Sequence, residues 1–153
     1  MKIGIVGSRD FPEQATVVAY IQTLTSQDTI ISGGAKGVDT WAIQAAQAQG
    51  LQTQEMLPDL SQCVASYDYT KAYYARNQQI VDAADYIVAF TQKDTGGTWD
   101  TIRRARKAGK DVQVIRPMQP KPKAAAKPHT IGAGPFHMRH VGLGSMALHL
   151  RKY

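Results

Sequence analysis

The sequence predicts an α/β fold: a Rossmann-like, doubly wound parallel sheet of about five strands with helices on both faces, followed by an irregular basic C-terminal tail. Three observations predict it. Short apolar runs alternate with amphipathic stretches of about a dozen residues, the pattern of parallel strands joined by crossover helices. Glycine stands where a strand runs into a helix, at Gly7, at Gly33-Gly34 and at Gly96-Gly97. At Pro117 the composition turns to proline, lysine and alanine, so the domain is expected to cover residues 1–116.

Taken in order, Lys2–Gly7 is a short apolar run closed by glycine. Pro12 suits a first helical turn, after which Val17, Val18, Ile21 and Leu24 recur at helical spacing. Thr29–Ser32 is a second buried strand. Val38, Trp41, Ala42, Ala45 and Ala46 follow at i, i+3, i+4, i+7 and i+8, and Gly50 ends that helix. Residues 51–57 make a weaker third strand, and residues 65–83 read as helix. Tyr86–Phe90 is the clearest strand in the chain. Trp99, Ile102 and Ala105 mark the next helix, Gly109 closes it, and Val112–Ile115 is the last strand. Residues 117–128 read as an extended linker of polyproline character. Residues 129–153 are a glycine- and histidine-containing basic tail with no clear period.

Charge is unevenly spread. The formal net charge is +6, yet residues 1–116 balance their cations against their carboxylates, and the excess is Lys121, Lys123, Lys127, Arg139, Arg151 and Lys152. A basic nucleic-acid-binding body is therefore not expected, whereas a weak nucleic-acid contact through the tail is. No apolar run approaches the ~18–20 residues of a membrane span, and the N-terminus lacks the h-region of a signal peptide. A single cysteine, Cys63, excludes an internal disulfide and fits a reducing, cytoplasmic setting. All four histidines lie in the tail, so chemistry in the body falls to carboxylates, hydroxyls, Lys and Arg. His137 and His140 alone make a poor metal site. Neither a metal nor a cofactor is expected.

In doubly wound sheets ligands bind at the carboxyl ends of the strands, where strand order reverses. Three segments converge there. In the first, Gly7 allows a tight turn, Ser8 offers a hydroxyl and Arg9 a bidentate partner for phosphate or carboxylate, or a partner for Asp10. The second, Ser32-Gly33-Gly34-Ala35-Lys36-Gly37-Val38-Asp39, puts three glycines and Lys36 at a helix N-terminus that suits an anion. Its spacing fits neither a Walker A loop nor the Gly-x-Gly-x-x-Gly fingerprint. Asp39 either complements the helix dipole or accepts bonds from a ribose hydroxyl. The third segment, Gly96-Gly97-Thr98, supplies a second set of backbone donors and a hydroxyl.

Between them stand Tyr67, Tyr69, Tyr73 and Tyr74, which either stack a base or pack the helix on the sheet or a dimer face. Arg76 and Asn77 follow as ligand-facing residues. Arg103, Arg104, Arg106, Lys107 and Lys110 read as a solvated helix face, with a nucleic-acid surface as the alternative.

Gly-Ser-Arg after the first strand, Ser-Gly-Gly-Ala-Lys-Gly-Val-Asp-Thr-Trp-Ala, Arg-Asn and the final Gly-Gly-Thr together resemble the SLOG superfamily. That group includes the LOG phosphoribohydrolases and the Smf/DprA Rossmann-like domain. The nearest resemblance is to the small YspA/YpsA-related branch, often found in phages and mobile elements. It covers residues 2–116. It implies a nucleotide or nucleotide-derived small molecule held by Gly7, Ser8, Arg9, Gly33, Gly34, Lys36, Gly37, Asp39, Arg76, Asn77, Gly96, Gly97 and Thr98, sensed or sequestered by a homodimer. The LOG resemblance implies hydrolysis of the base–ribose bond of a nucleoside monophosphate, with Asp100 and Arg76 as catalytic residues. Here Trp99-Asp100-Thr101 follows the last turn, so the usual acidic pair is absent. The DprA resemblance implies single-stranded DNA binding aided by the tail.

Overall fold

The computed structural model describes residues 1–118; the tail 129–153, its histidines and all but the first two residues of the linker lie outside them. The elements are β1 (Lys2–Gly7), α1 (Gln14–Gln22), β2 (Thr29–Ser32), α2 (Val38–Ala48), β3 (Gln52–Glu55), α3 (Ser66–Ala83), β4 (Tyr86–Phe90), α4 (Gly96–Lys107) and β5 (Val112–Ile115). They form one sheet in the order β3-β2-β1-β4-β5. Every neighbouring pair is parallel, and Ile5 of β1 lies level with Ser32 of β2 and Val88 of β4. Strand order therefore reverses between β1 and β4, which places the ligand edge beyond Gly7 and Phe90.

The alternation of side chains along each strand divides the core in two. Ile3, Ile5, Ile30, Val88 and Phe90 face α1 and α2, meeting Val17, Ile21, Val38, Ala42 and Ala46. Phe90 anchors this side, edge-on to Phe11 and Tyr20 at 5.7 and 5.9 Å between ring centroids. Val6, Ile31, Ile87 and Ala89 face the opposite way, toward Ile80 and Val81 of α3 and Ile102 and Ala105 of α4. β3 is an edge strand and is largely exposed, which explains its weak apolar signal.

Three local expectations differ. Pro12 precedes the helix rather than opening it, since α1 starts at Gln14 after Glu13. Leu24 lies past the end of α1 but still packs against the first core. The tyrosines of α3 do not pack on the sheet, for α3 buries only Asn77, Ile80 and Val81. Length is the reason. Eighteen helical residues extend about 27 Å, whereas a five-residue strand such as β4 extends about 17 Å. The first turns of α3 therefore overhang the carboxyl edge of the sheet, and their tyrosines stand at the ligand edge.

Lys110 leaves the solvated face that its spacing suggests. Its Nζ donates to the carbonyls of Val81, Asp82 and Ala84, the last at 2.7 Å, and so caps the end of α3. A cation there satisfies orphaned carbonyls and complements the helix dipole. Lys110→Met is expected to lower unfolding free energy by about 1–3 kcal/mol, whereas exposed Lys107→Met stays within about 0.5 kcal/mol. Urea titration of both variants checks this.

Candidate functional site

A cavity of about 440 Å³ opens at the carboxyl edge, within the ~300–1,000 Å³ range of small-molecule sites. β1 contributes Val6, Gly7 and the following Ser8 and Arg9, the turn before α2 contributes Ala35, and the first turn of α2 contributes Asp39. α3 supplies Thr70, Tyr73, Tyr74, Arg76 and Asn77. Lys93, Thr95 and the first residues of α4, Gly96 to Thr98, add to the wall.

The two helix N-termini at this cavity differ in charge. α4 begins at Gly96 after Thr95, whose side chain caps nothing, and its first turn holds no acidic residue. Its leading N–H groups therefore remain available to an anion. α2 begins after Gly37, which has φ 89° and whose α-carbon lies close against the Arg9 backbone. Its first turn carries Asp39, which is 4% exposed. Asp39 Oδ2 accepts from the Ala35 amide at 3.2 Å, while Oδ1 is buried without a hydrogen-bond partner. Burial pushes its carboxyl up to about 6; the Ala35 amide, the Arg76 charge and the nearby Gly33 and Gly7 amides pull the other way.

The cations are held differently. Arg76 Nη1 donates to the Gly33 carbonyl, and Nε donates to Asn77 Oδ1 at 3.2 Å. Burial pulls its guanidinium below the ordinary arginine value and nearby Arg9 does the same, while Asp39 opposes both. A Cβ at position 33 would overlap that guanidinium, so only glycine lets it reach the carbonyl. Lys93 pairs with Asp10 at 2.6 Å, and that hydrogen bond holds the Asp10 carboxyl below its usual range. Arg9 is exposed and, among the described residues, forms no ion pair.

The structure brings Gly7, Ser8, Arg9, Asp39, Arg76, Asn77, Gly96, Gly97 and Thr98 to one cavity. Gly33, Gly34, Lys36 and Gly37 are not on its wall. Gly33 lies against Arg76, Gly34 packs near Leu57, and Lys36 is exposed. The second glycine turn thus serves close packing. Ser8 Oγ is already bonded to Thr91 Oγ1 at 2.8 Å. Asp100 is buried but lies outside the lining, accepting from Asn77 at 3.2 Å and from Arg104 at 2.7 Å. Sequence reasoning missed Thr91 and the Lys93–Asp10 pair. Their place just after a buried strand, at the ligand edge, was the available signal.

A five-stranded parallel sheet with a cavity at its switch point is a Rossmann-like fold. A family profile described as DNA recombination-mediator protein A matches residues 1–66. The solved DNA processing protein A (DprA) of Streptococcus pneumoniae is 26% identical over 74% of this chain and 49% of that one, with a TM-score of 0.62. DNA processing protein A from Helicobacter pylori, described for its single-stranded DNA binding mode, is 20% identical (74% and 64% covered, TM-score 0.58). The structural-genomics target TM1055 is 22% identical (72% and 71%, TM-score 0.56). The last two show the fold alone. The chain spans about half the length of the Streptococcus protein. No curated protein matches the chain. These matches bear out the resemblance to the SLOG superfamily. Among the described residues no helix is long and apolar enough to cross a membrane.

Asp39 makes stability depend on pH. Its folded value of about 6 exceeds the ordinary 3.8, so the folded state binds the proton more tightly. Its contribution is greatest below about pH 3.8 and is lost as pH rises through about 6, a span of up to about 3 kcal/mol. Asp39→Asn is therefore expected to be more stable than the wild type near neutral pH, with the difference vanishing toward pH 4. Urea denaturation across that range measures it.

Proposed function

We propose that the chain binds a nucleotide or nucleotide-derived small molecule, with sugar hydroxyls donating to Asp39 and a phosphate held at the start of α4 beside Arg9 and Arg76. The meeting of the Asp39 carboxylate and the uncapped start of α4 in one cavity wall carries this reading. The Ala35, Gly33 and Gly7 amides offset only part of the cost of burying this carboxylate, and a ligand hydroxyl that reaches it offsets more. The uncapped N-terminus of α4 and unpaired Arg9 supply the anion half of the ligand's complement. Tyr73 and Tyr74 also line the cavity and offer rings for a base. The likeness to DNA processing protein A supports nucleotide-related or nucleic-acid-related binding.

Binding without turnover fits better than hydrolysis of the base–ribose bond. The Asp100 carboxylate is bonded to Asn77 and Arg104 and does not line the cavity. A second reading, single-stranded DNA on the same edge, draws on the Helicobacter relative and on Tyr67, which is 72% exposed on the overhanging turns.

Calorimetric titration with AMP, GMP, CMP, UMP and ribose 5-phosphate, beside a single-stranded oligonucleotide, separates these readings. Saturable nucleotide binding is expected, with AMP recovered intact. Arg9→Ala and Asp39→Asn should each weaken it about tenfold or more. Because a donating hydroxyl favours the ionised carboxylate, affinity rises with pH through about 6. Affinity at about pH 5 should be roughly tenfold below that at pH 7.5. The phosphate ionises in the same range, so the Asp39→Asn profile supplies the baseline. Oligonucleotide binding that falls steeply with salt, with every small ligand inert, would overturn the small-molecule reading.

A further inference from the structure

We infer that Asp100 is a positioning residue for Arg76, acting through the side-chain amide of Asn77. The consequence for ligand affinity rests on the nucleotide-binding reading above; the positioning itself does not.

Asn77 is buried at the seam of α3 and α4, between the cavity and Asp100. Its Nδ2 donates to Asp100 Oδ2 at 3.2 Å and to the Gly97 carbonyl at 3.3 Å. Those two acceptors decide which way the amide faces. Reversed, it would set its carbonyl against a carboxylate and a carbonyl, and its NH₂ against the Nε–H of Arg76. In the observed orientation Oδ1 accepts from Arg76 Nε at 3.2 Å. Of the two acceptors Asp100 is the charged one and makes the stronger bond.

Arg76 has five N–H donors. One is fixed by Asn77 and one by the Gly33 carbonyl, which leaves three to face the cavity in a set plane. The guanidinium also lies over the Tyr73 ring, 6.0 Å from its centroid. Asp100 is held in turn by Arg104 Nε at 2.7 Å, and Arg104 Nη1 donates to Gln78 Oε1 at 3.1 Å. A line of hydrogen bonds thus runs from the outer face of α4 to the cavity. A simple i,i+4 ion pair on a helix surface would need neither the burial of Asp100 nor its bond to a residue 23 positions away.

Two substitutions separate the acceptor from the charge. Asp100→Ala and Asp100→Asn both remove the ion pair with Arg104, but only Asp100→Asn keeps a carbonyl oxygen for the Asn77 amide. With AMP and ribose 5-phosphate as calorimetric probes, Asp100→Ala should weaken binding about tenfold, while Asp100→Asn stays within about twofold of the wild type. The ligand-free readout is the ¹⁵N-detected Nε–H signal of Arg76, assigned by its loss in Arg76→Lys. It should be protected from exchange in the wild type and Asp100→Asn, and unprotected in Asp100→Ala. Should Asp100→Ala fail to fold, Asn77→Ala is expected to lose the same protection with the Asp100–Arg104 pair in place. Equal protection in Asp100→Ala and the wild type, or Asp100→Asn behaving as Asp100→Ala, overturns the inference. A wild-type protein that binds neither probe overturns the nucleotide reading instead, and the exchange measurement still decides the positioning.

Discussion

The cavity depends on the hydrogen bond between the Arg76 guanidinium and the Gly33 carbonyl. Arg76 belongs to α3, which covers one face of the sheet, and Gly33 precedes α2, which covers the other. Their bond spans the carboxyl edge and joins the two halves of the doubly wound sheet where ligand chemistry is expected. It exists because residue 33 has no side chain. Arg76 stands one residue before buried Asn77, where α3 reaches the carboxyl edge of the sheet beside Gly33. A missing Cβ and one half-buried cation together shape this edge of the sheet.

Electrostatics then divide the cavity into two ends. At α2 the helix N-terminus carries a carboxylate of its own, buried in the cavity wall. At α4 the N-terminus has neither a capping side chain nor an acid. One end therefore calls for a donor and the other for an anion, and a sugar phosphate offers both on one molecule. Keeping Asp39 ionised in that position costs folding free energy at neutral pH, a pattern in which a site is maintained against stability rather than for it.

Nearly all of the fold was legible in the sequence, because the buried strands of a parallel sheet are apolar runs and glycine stands at three of the four strand-to-helix connections. Tyr86–Phe90 shows both signals and matches β4 residue for residue. The site was legible as a set of segments rather than of contacts. Glycine at 33 and 37 reads as room for an anion, whereas here it makes room for Arg76 and for the Arg9 backbone. Composition has no term for which neighbour a missing side chain admits. Asp100 was legible as a carboxylate near the last turn, but a one-dimensional pattern does not show that helical geometry turns it toward Asn77 and Arg104. The tyrosines misled for a related reason. Aromatic residues at helical spacing usually mark a core face, and only the overhang of α3 exposes them.

The most direct test of the account is the titration of the Asp39 side-chain carboxyl, followed by ¹³C NMR with and without saturating AMP. In the free protein the midpoint should lie near 6. With AMP bound it should fall by at least about one unit, as a sugar hydroxyl donates to the ionised oxygen. A midpoint that stays in place while AMP binds would contradict the assignment of Asp39 as the sugar's acceptor, and with it the reading of the cavity as a nucleotide site.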